Sequence, residues 1–350
     1  MDSSQLLALI AALRGRTVAV IGDVVADEFV YGRVARVSRE APVLILEYDS
    51  TEILPGAGGN AANNVASLGG RAALASIVGR DEPGTRLLKA LHARVDAAAV
   101  ARMAGRHTPV KTRILAGGIH SAKQQVVRID RGVHQPIDAR ARAAFDRAAL
   151  RALRTADAVL ISDYGSGLVT PAFVSRLRAL LKREGLPIPI LVDSRYRLLE
   201  YRGLTACTPN ESEVEQALGV TINDDLRVLE RAGRTILEQT RMQAVLVTRG
   251  SRGMALFVPN EATVHIPIYG SDEIADVTGA GDTVMATLAL SLAAGATFEA
   301  AARLANYAGG IVVMKRGTAT VTANELRDAV EEGRSSRRSA SPQRGAKADG

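Results

Sequence analysis

The stretch Asp276-Val277-Thr278-Gly279-Ala280-Gly281-Asp282-Thr283 decides the fold of this chain, and the apolar run of residues 284–294 follows it directly. Glycines just before an apolar run predict a tight turn that leads into a helix, whose first-turn N–H groups can bind an anion. Gly279 and Gly281 lack a Cβ atom, so a phosphate can approach the backbone closely. The alternative is an ordinary turn in which Asp282 only begins the helix. An anion site beside a carboxylate base predicts phosphoryl transfer.

The composition is typical of a globular protein with a large aliphatic core. Apolar residues make up 47% of the 350 residues and charged residues 23%, whereas aromatic residues are only 3% and tryptophan is absent. This length fits either two domains or one large α/β domain. Cys207 is the only cysteine in the sequence, which excludes an internal disulfide framework and favours a reducing compartment.

The net charge of +7 is concentrated at the carboxyl terminus. Residues 333–350 hold five basic residues against one aspartate, a net of +4, so the other 332 residues carry only +3. A Ser/Arg/Gly/Pro segment without apolar periodicity is typical of a disordered tail. We therefore expect no nucleic-acid partner; salt-dependent binding through the tail is the alternative.

The N-terminal apolar run, residues 6–13, is interpreted as a short first helix and not as an export signal. Asp2 precedes it, no basic leader is present, and Arg14 leads directly into a strand. No apolar run reaches the length of a membrane span. We therefore expect a cytoplasmic protein with no membrane partner.

Two aspartates follow the first buried strand. Residues 17–21 are short, apolar and β-branched, which predicts a buried parallel strand that ends at Gly22. Asp23 and Asp27 then lie at the strand exit, where open α/β sheets bind ligands. Each is compatible with a turn position, but as a pair they are suited to accept hydrogen bonds from sugar hydroxyls.

A β insertion interrupts the α/β pattern after this strand. Residues 28–38 and 43–49 alternate as strands do. Residues 55–64 (Pro-Gly-Ala-Gly-Gly-Asn-Ala-Ala-Asn-Asn) then begin a helix whose glycines, Gly56 among them, allow close approach of a ligand. Asn60 and Asn64 are one turn apart and share a helix face.

Two further alternating runs, residues 110–116 and 123–130, carry basic and amide side chains. Lys111 and Arg113 share one face by the two-residue period of a strand, and Gln124 lies on the neighbouring run. Such a face is suited to hold a second phosphate, one that belongs to the acceptor. A solvated strand face is the alternative.

From residue 138 onward, strands and helices alternate regularly, which predicts parallel strands with helices on both faces of the sheet. Strand ends gather at one edge of such a sheet and form one crevice. The residues expected at this edge are Asp23, Asp163, Asp193, Asn210 and Thr248.

Residues 209–213 (Pro-Asn-Glu-Ser-Glu) begin a helix at this edge. Asn210 and Glu213 share a helix face and are suited to hold a hydrated Mg²⁺, which takes few protein ligands. An N-cap Asn210 with Glu213 three residues later is an equally good local explanation. The turn at Thr248, Arg249 and Gly250 is placed to face a nucleotide phosphate.

Taken in order, the segments 22–27, 56–64, 208–213 and 276–283 resemble the motifs of the ribokinase/PfkB family of carbohydrate kinases. The resemblance covers residues 15–332. It implies one ribokinase-like α/β domain over residues 1–332, with a mostly parallel sheet, helices on both faces and a small β-sheet lid formed by about residues 28–54 and 109–130. In this family the lid can also join two subunits, so a homodimer is expected.

The resemblance also implies roles for individual residues. Asp282 would be the catalytic base, and Gly279, Ala280 and Gly281 would form the anion hole. The cofactors would be ATP and Mg²⁺, and K⁺ would bind near Asp276 and Thr278. The sugar would contact Asp23, Asp27, Gly56, Asn60 and Asn64, with Lys111, Arg113 and Gln124 on its phosphate. The nucleotide and its metal would contact Asn210, Glu211, Ser212, Glu213, Thr248, Arg249, Gly250 and Asn306.

Finer features resemble the branch of the family that phosphorylates heptose 7-phosphate in the synthesis of ADP-heptose for lipopolysaccharide. These features are segments 38–43 and 60–69, the pair Gln124-Gln125, and Ser162-Asp163-Tyr164. The segment Asp193-Ser194-Arg195-Tyr196-Arg197 departs from the Pro/Lys pattern of that branch, which leaves the role of Arg195 open. The alternatives are a kinase of ribose or of a fructose phosphate, and a sugar-binding regulator without turnover.

Overall fold

The computed structural model describes residues 3–117, 123–132, 135–270, 276–315 and 317–339. Two β-sheets are formed from strands β1 (Thr17–Gly22), β2 (Val24–Val37), β3 (Leu44–Ala57), β4 (Arg71–Gly79), β5 (Val95–Met103), β6 (Val110–Gly117), β7 (Gln124–Arg131), β8 (Ala158–Asp163), β9 (Ile190–Ser194), β10 (Ala206–Cys207), β11 (Ala244–Thr248), β12 (Met254–Phe257) and β13 (Val264–Ile266). The helices are α1 (Ser3–Ala12), α2 (Gly58–Ser67), α3 (Glu82–Lys89), α4 (Ala139–Ala152), α5 (Pro171–Arg183), α6 (Glu211–Leu218), α7 (Leu226–Thr240), α8 (Ala280–Ala293), α9 (Phe298–Val313) and α10 (Ala323–Ser339).

The large sheet has nine strands in the order β13-β12-β11-β10-β9-β8-β1-β4-β5. Seven of these strands run parallel from β5 to β11, and only β12 and β13 pair antiparallel. The central strand β1 is fully buried over Val18–Ile21 because helices cover both faces. The predicted mostly parallel α/β sheet is therefore confirmed.

One apolar core lies on each face of this sheet. The first includes side chains of α1, α2, α8, α9 and α10, and the second includes those of α4, α5 and α7. Helix α8 is buried on nearly every side, which explains why its sequence lacks an amphipathic pattern. Its packing against the sheet, α2 and α9 fixes the position of its N-terminus at the carboxyl edge of the parallel strands.

The second sheet has four strands in the order β3-β2-β6-β7 and corresponds to the predicted lid. Strand β2 leaves the large sheet directly after β1, and β3 returns directly into α2, so both ends of this hairpin are anchored beside the strand exit. Strand β6 pairs parallel with β2, which places Lys111 beside Asp27 and Arg113 beside Phe29. We keep the name lid for these four strands.

The sequence analysis did not predict five of these elements, namely β5, β12, β13, α9 and α10. Strand β5 is rich in alanine, which has low β propensity, and it forms only because β4 provides a parallel partner. Helix α10 continues to Ser339, past the predicted start of a disordered tail at residue 333, whereas residues 340–350 lie outside the described ranges. No helix in the described part of the chain is both long enough and apolar enough to cross a lipid bilayer.

Candidate active site

A cavity of about 530 Å³ lies between the carboxyl edge of the large sheet and the lid. Both sheets and the helices α8 and α9 contribute to its walls, which include Asp27, Lys111, Arg113, Arg128, Tyr164, Asp193, Arg195, Thr208, Asn210, Glu213, Thr248, Gly250, residues 277–282, Asn306 and Gly309. The predicted crevice at the strand ends is therefore present, and the described residues bring most of the sequence-predicted candidates to it.

The N-terminus of α8 opens into this cavity. Gly279 adopts φ = 79°, a conformation that L side chains rarely adopt, and a Cβ atom there would lie 2.4 Å from Nδ2 of Asn60. A Cβ atom on Gly281 would meet open space, so the backbone is accessible at this position. Within the described residues, the N–H groups of Gly281 and Asp282 have no hydrogen-bond acceptor, as the first turn of a helix predicts, whereas the N–H of Ala280, which was predicted to join the anion hole, donates to the Val277 carbonyl at 3.2 Å. This end of α8 is suited to bind a phosphate.

Asp282 is held between two hydrogen-bond donors in the first turn of α8. Its side chain is only 4% exposed, Asn60 Nδ2 donates to one carboxylate oxygen at 3.1 Å, and the Tyr164 hydroxyl donates to the other at 3.0 Å. Burial raises the pKa of Asp282 to about 7; the two hydrogen bonds and Lys111 oppose this shift, whereas Asp27 adds to it. A carboxyl group with this pKa is suited to accept a proton near neutral pH.

Asn60 is in turn fixed by Asn64. Nδ2 of Asn64 donates to Oδ1 of Asn60 at 3.1 Å, and Oδ1 of Asn64 accepts the N–H of Val321 at 3.2 Å. Gly56, Asn60 and Asn64 were predicted to bind the sugar, but none of the three is part of the cavity wall, and Asn64 is completely buried. The shared helix face places Asn64 one turn deeper than Asn60, where it orients Asn60 instead.

The two strand-exit aspartates differ in what they contact. Asp27 lines the cavity, forms an ion pair with Arg113, and is so close to Gly56 that a Cβ atom there would lie 2.1 Å from its Oδ2. Asp23 is not part of this wall; it accepts the backbone N–H of Tyr164 at 2.8 Å and the hydroxyl of Ser166. Burial raises the pKa of both carboxyl groups.

Four cations line the cavity: Lys111, Arg113 and Arg128 on the lid, and Arg195 directly after β9. Burial lowers the pKa of Lys111, which has no ion-pair partner among the described residues. Gln124 was predicted to join this group, but it is exposed on β7 and does not line the cavity. Gln124 pairs with Ala116, which lies five residues along β6 from Lys111.

The opposite end of the cavity is formed by α6, β11 and α9. Asn210 and Glu213 form a capping box, in which Asn210 Oδ1 accepts the Glu213 N–H at 2.8 Å and Glu213 Oε2 accepts the Asn210 N–H at 3.0 Å. Both still line the cavity, as do Thr248, Gly250 and Asn306. The local N-cap explanation and a role in binding are therefore compatible.

Three residues predicted to bind the nucleotide do not reach the cavity wall. Arg249 is buried and forms an ion pair with Glu211 at 2.7 Å, so the charge of each side chain is balanced by the other. Ser212 is exposed on the outer side of α6. Asp163, which was expected in the crevice, instead accepts hydrogen bonds from Ser194, Arg197 and Tyr201 below it.

Two buried carboxyl groups, Asp193 and Glu213, lie beside α6, and Arg195 is a cation near both of them. Burial raises the pKa of Asp193 well above its usual range, and Asp282 and Glu213 add to that shift; burial likewise raises the pKa of Glu213. A divalent cation with oxygen ligands would relieve this repulsion, and Mg²⁺ meets that description. Each oxygen of Asp276 accepts one backbone N–H, from Thr278 at 2.8 Å and from Gly317 at 3.1 Å, which retains lone pairs for a monovalent ion.

Sequence reasoning missed Tyr164 as a neighbour of Asp282. The motif Ser162-Asp163-Tyr164 was noted, but no periodicity indicates that a residue 118 positions before Asp282 contacts it. Arg195, whose role the sequence left open, lines the cavity between Lys111 and Glu213.

Comparisons with known proteins agree with this geometry. Residues 16–325 match the model of the pfkB family of carbohydrate kinases. Among curated proteins, the chain is 42% identical to the bifunctional protein HldE of Trichlorobacter lovleyi over 89% of this chain and 62% of that protein. It is also 42% identical to HldE of Caulobacter vibrioides over 90% of this chain and 63% of that protein. The chain thus spans less than two thirds of the length of these relatives.

Solved structures show the same fold at lower identity. Arabidopsis thaliana ribokinase complexed with ribose and ATP matches with a TM-score of 0.68 and 20% identity, over 91% of this chain and 98% of that one. Escherichia coli phosphofructokinase-2 in complex with potassium matches with a TM-score of 0.69 and 17% identity, over 91% and 99%. The ribokinase-like α/β fold predicted from the sequence is therefore confirmed.

The buried Asp282 predicts a specific pH dependence of stability. Because its pKa of about 7 in the folded state exceeds the usual 3.8, the folded state binds more protons than the unfolded state between these values, and stability falls as pH rises through this window. Asp282→Asn removes this loss. Between pH 5 and pH 8, the free energy of unfolding of the variant should therefore rise relative to wild type by up to about 3 kcal/mol.

Urea unfolding of both proteins at several pH values measures this difference. Asp328→Asn, a change at an exposed aspartate of α10, is the control and should follow wild type at every pH. A constant difference between Asp282→Asn and wild type would contradict the raised pKa.

Proposed function

Because the chain belongs to the pfkB family of carbohydrate kinases, we propose that it transfers the γ-phosphate of ATP to the anomeric C1 hydroxyl of D-glycero-β-D-manno-heptose 7-phosphate, which yields the 1,7-bisphosphate. The observation that carries this proposal is the position of Asp282. It is a buried carboxylate with a pKa of about 7, in the first turn of a helix whose free amides open into a cavity that also holds a cluster of cations.

The proposed mechanism assigns the proton and the charge to separate groups. Asp282 accepts the proton of the attacking C1 hydroxyl as the new O–P bond forms and the bond to ADP breaks. The N–H groups of Gly281 and Asp282 stabilise the negative charge on the transferring phosphoryl group, since they point to the place where it passes. Closure of the lid over the cavity excludes water, which would otherwise compete with the sugar hydroxyl.

The nucleotide occupies the end formed by α6, β11 and α9 in this proposal. Thr248 and Gly250 lie along the phosphates, and Asn306 lies near the base. Asn210 and Glu213, with Asp193 close by, would hold Mg²⁺, which would neutralise charge on the phosphates. K⁺ beside Asp276 and Thr278 would add positive charge behind the anion site.

The choice of a phosphorylated acceptor rests on the cations at the lid end. A neutral sugar offers no counter-charge for a partly buried Lys111 beside Arg128 and Arg195, whereas a terminal phosphate does. The sequence features shared with heptose 7-phosphate kinases and the identity of about 40% to proteins named HldE favour a heptose phosphate over a fructose phosphate.

Incubation with ATP, Mg²⁺ and heptose 7-phosphate tests the reaction, and ³¹P NMR of the product reports the phosphorylated position. We expect an anomeric phosphate signal to appear beside the retained 7-phosphate. Asp282→Asn should lower kcat by about 10²–10⁴-fold with little change in ATP affinity, because only proton acceptance is lost. ADP release with fructose 6-phosphate or ribose, but not with heptose 7-phosphate, would contradict the proposed acceptor. Near-normal turnover of Asp282→Asn would contradict the role of Asp282 as the base.

Lys111→Met tests whether the acceptor is phosphorylated. The variant should raise KM for the sugar phosphate by about 10–100-fold, the loss expected for one hydrogen bond to a charged group, and should leave KM for ATP unchanged. Lys123→Met is the matched control, because Lys123 also belongs to the lid region but pairs with Asp49 outside the cavity. Equal effects of the two variants would contradict a phosphate site at Lys111.

We also propose that the lid joins two copies of the chain. Eight of the fourteen exposed large apolar side chains in the described residues belong to the lid or its hairpin turn: Val34, Val37, Val43, Leu44, Tyr48, Val126, Val127 and Ile129. Strand β7 is exposed along its whole length and pairs on one side only. A second copy of the chain presents the same apolar surface and the same unpaired edge of β7. The two lids can therefore pack against each other in a self-complementary contact.

Sedimentation over a range of concentrations measures this association. Val127→Glu should convert a dimer to a monomer, because it adds a charge to the proposed contact, whereas Leu226→Glu, at an exposed apolar residue of α7, should not. A monomeric wild-type protein at all concentrations, or a dimer unaffected by Val127→Glu, would contradict the lid as the interface.

A further inference from the structure

We propose that Tyr164 is a positioning residue, whose hydroxyl holds the Asp282 carboxylate in its reactive orientation while its backbone N–H ties it to Asp23. This inference rests on the proposed role of Asp282 and adds a group that neither motif nor spacing indicated. In this proposal Tyr164 connects the exit of strand β1, through Asp23, with the N-terminus of α8, through Asp282.

The geometry leaves the Asp282 carboxylate little rotational freedom. Asn60 donates to Oδ2 at 3.1 Å and Tyr164 donates to Oδ1 at 3.0 Å, so each oxygen has one lone pair committed and one left for the acceptor hydroxyl. Asn60 alone would hold one oxygen and allow the other to turn. The pair of donors fixes the plane of the carboxylate, which is what proton acceptance from a bound hydroxyl requires.

Tyr164 is itself fixed by the turn that follows β8. Asp23 accepts the N–H of Tyr164 and the hydroxyl of Ser166, and Gly165 at φ = 84° lets the chain reverse between them. Asp23 therefore acts through Tyr164 in this structure, since it is buried and does not line the main cavity. A smaller cavity, which Asp23 lines, shares Tyr164 and Lys111 with the main cavity.

Charged groups on several elements face Asp282, and the test must separate them. Asp27 on β2, Lys111 on β6 and Asp193 on β9 all act on Asp282 or on its partner Tyr164, and the amino group of Lys111 lies 5.2 Å from the centre of the Tyr164 ring. A change that keeps the ring and removes only the hydroxyl leaves these charges in place. Tyr164→Phe is that change.

The comparison of Tyr164→Phe with wild type uses two measurements. The first is the titration of the Asp282 carboxyl carbon by ¹³C NMR in the free protein with labelled aspartate, with Asp282→Asn to assign the signal. Loss of a donor to the charged form should raise its midpoint by about 0.5–1 pH unit, since such hydrogen bonds favour the ionised carboxylate. The second is the pH dependence of kcat, whose acidic limb should move up by the same amount.

At pH 7 the kcat of Tyr164→Phe should be about 10–100-fold lower, with KM for both substrates within about threefold of wild type, because orientation and not binding is lost. Tyr201→Phe is the matched control. It removes a buried hydroxyl that donates to Asp163 at 2.6 Å, away from the main cavity, so it should lower the melting temperature without moving the limb.

Incorporation of 3-fluorotyrosine at position 164 covers the case in which Tyr164→Phe does not fold. It keeps the ring and the hydroxyl but makes a stronger donor, so the Asp282 midpoint should move down. An unchanged midpoint in the variants that fold would overturn the proposal. The titration needs no acceptor, so a failure of heptose 7-phosphate as substrate leaves this test intact, and the kinetic comparison is then made with the sugar for which ADP release is found.

Discussion

The contact between the Asp282 carboxylate and its two donors, Asn60 and Tyr164, is the interaction on which the rest of the site depends. It joins α2, the turn after β8 and the N-terminus of α8, three elements that are far apart in the chain. Each element is anchored independently: α2 by Asn64 and Val321, the turn by Asp23, and α8 by its burial in the core. A carboxylate held in this way has a fixed orientation, which is a general requirement of efficient proton transfer.

The cavity contains charged groups of both signs, and ligands of opposite charge would neutralise them. Burial raises the pKa of the carboxyl groups of Asp193, Glu213 and Asp282, and Asp282 and Glu213 add to the shift at Asp193, while Lys111 has no ion-pair partner among the described residues. A cation at the α6 end and an anion at the lid end would satisfy both sets. The opposite ends of one cavity thus favour opposite kinds of ligand, as a kinase that binds a metal nucleotide and a sugar phosphate requires.

Residues that share a motif separate into those that line the cavity and those that support it. Asn60 touches Asp282, but Asn64, which is one turn away, orients Asn60 from below. Asp27 faces the cavity, but Asp23 holds the turn that carries Tyr164. Thr248 and Gly250 line the cavity, whereas Arg249, which lies between them in the chain, forms an ion pair with Glu211 and does not line it. In each case the periodicity of the sequence indicates which residues share a face of a helix or strand, but it does not indicate how deeply each side chain is buried.

The sequence by itself determined the parallel α/β sheet, the smaller sheet of the lid and the glycine turn that begins α8, because these depend on local patterns: apolar strand runs, alternation, and glycines before a buried helix. Only the tertiary structure decided that Tyr164 contacts Asp282, that Gln124 does not line the cavity, and that β5 is a strand at all. The physical reason is that these outcomes depend on pairing between distant segments and on burial depth. Neither can be read from the periodicity of the sequence.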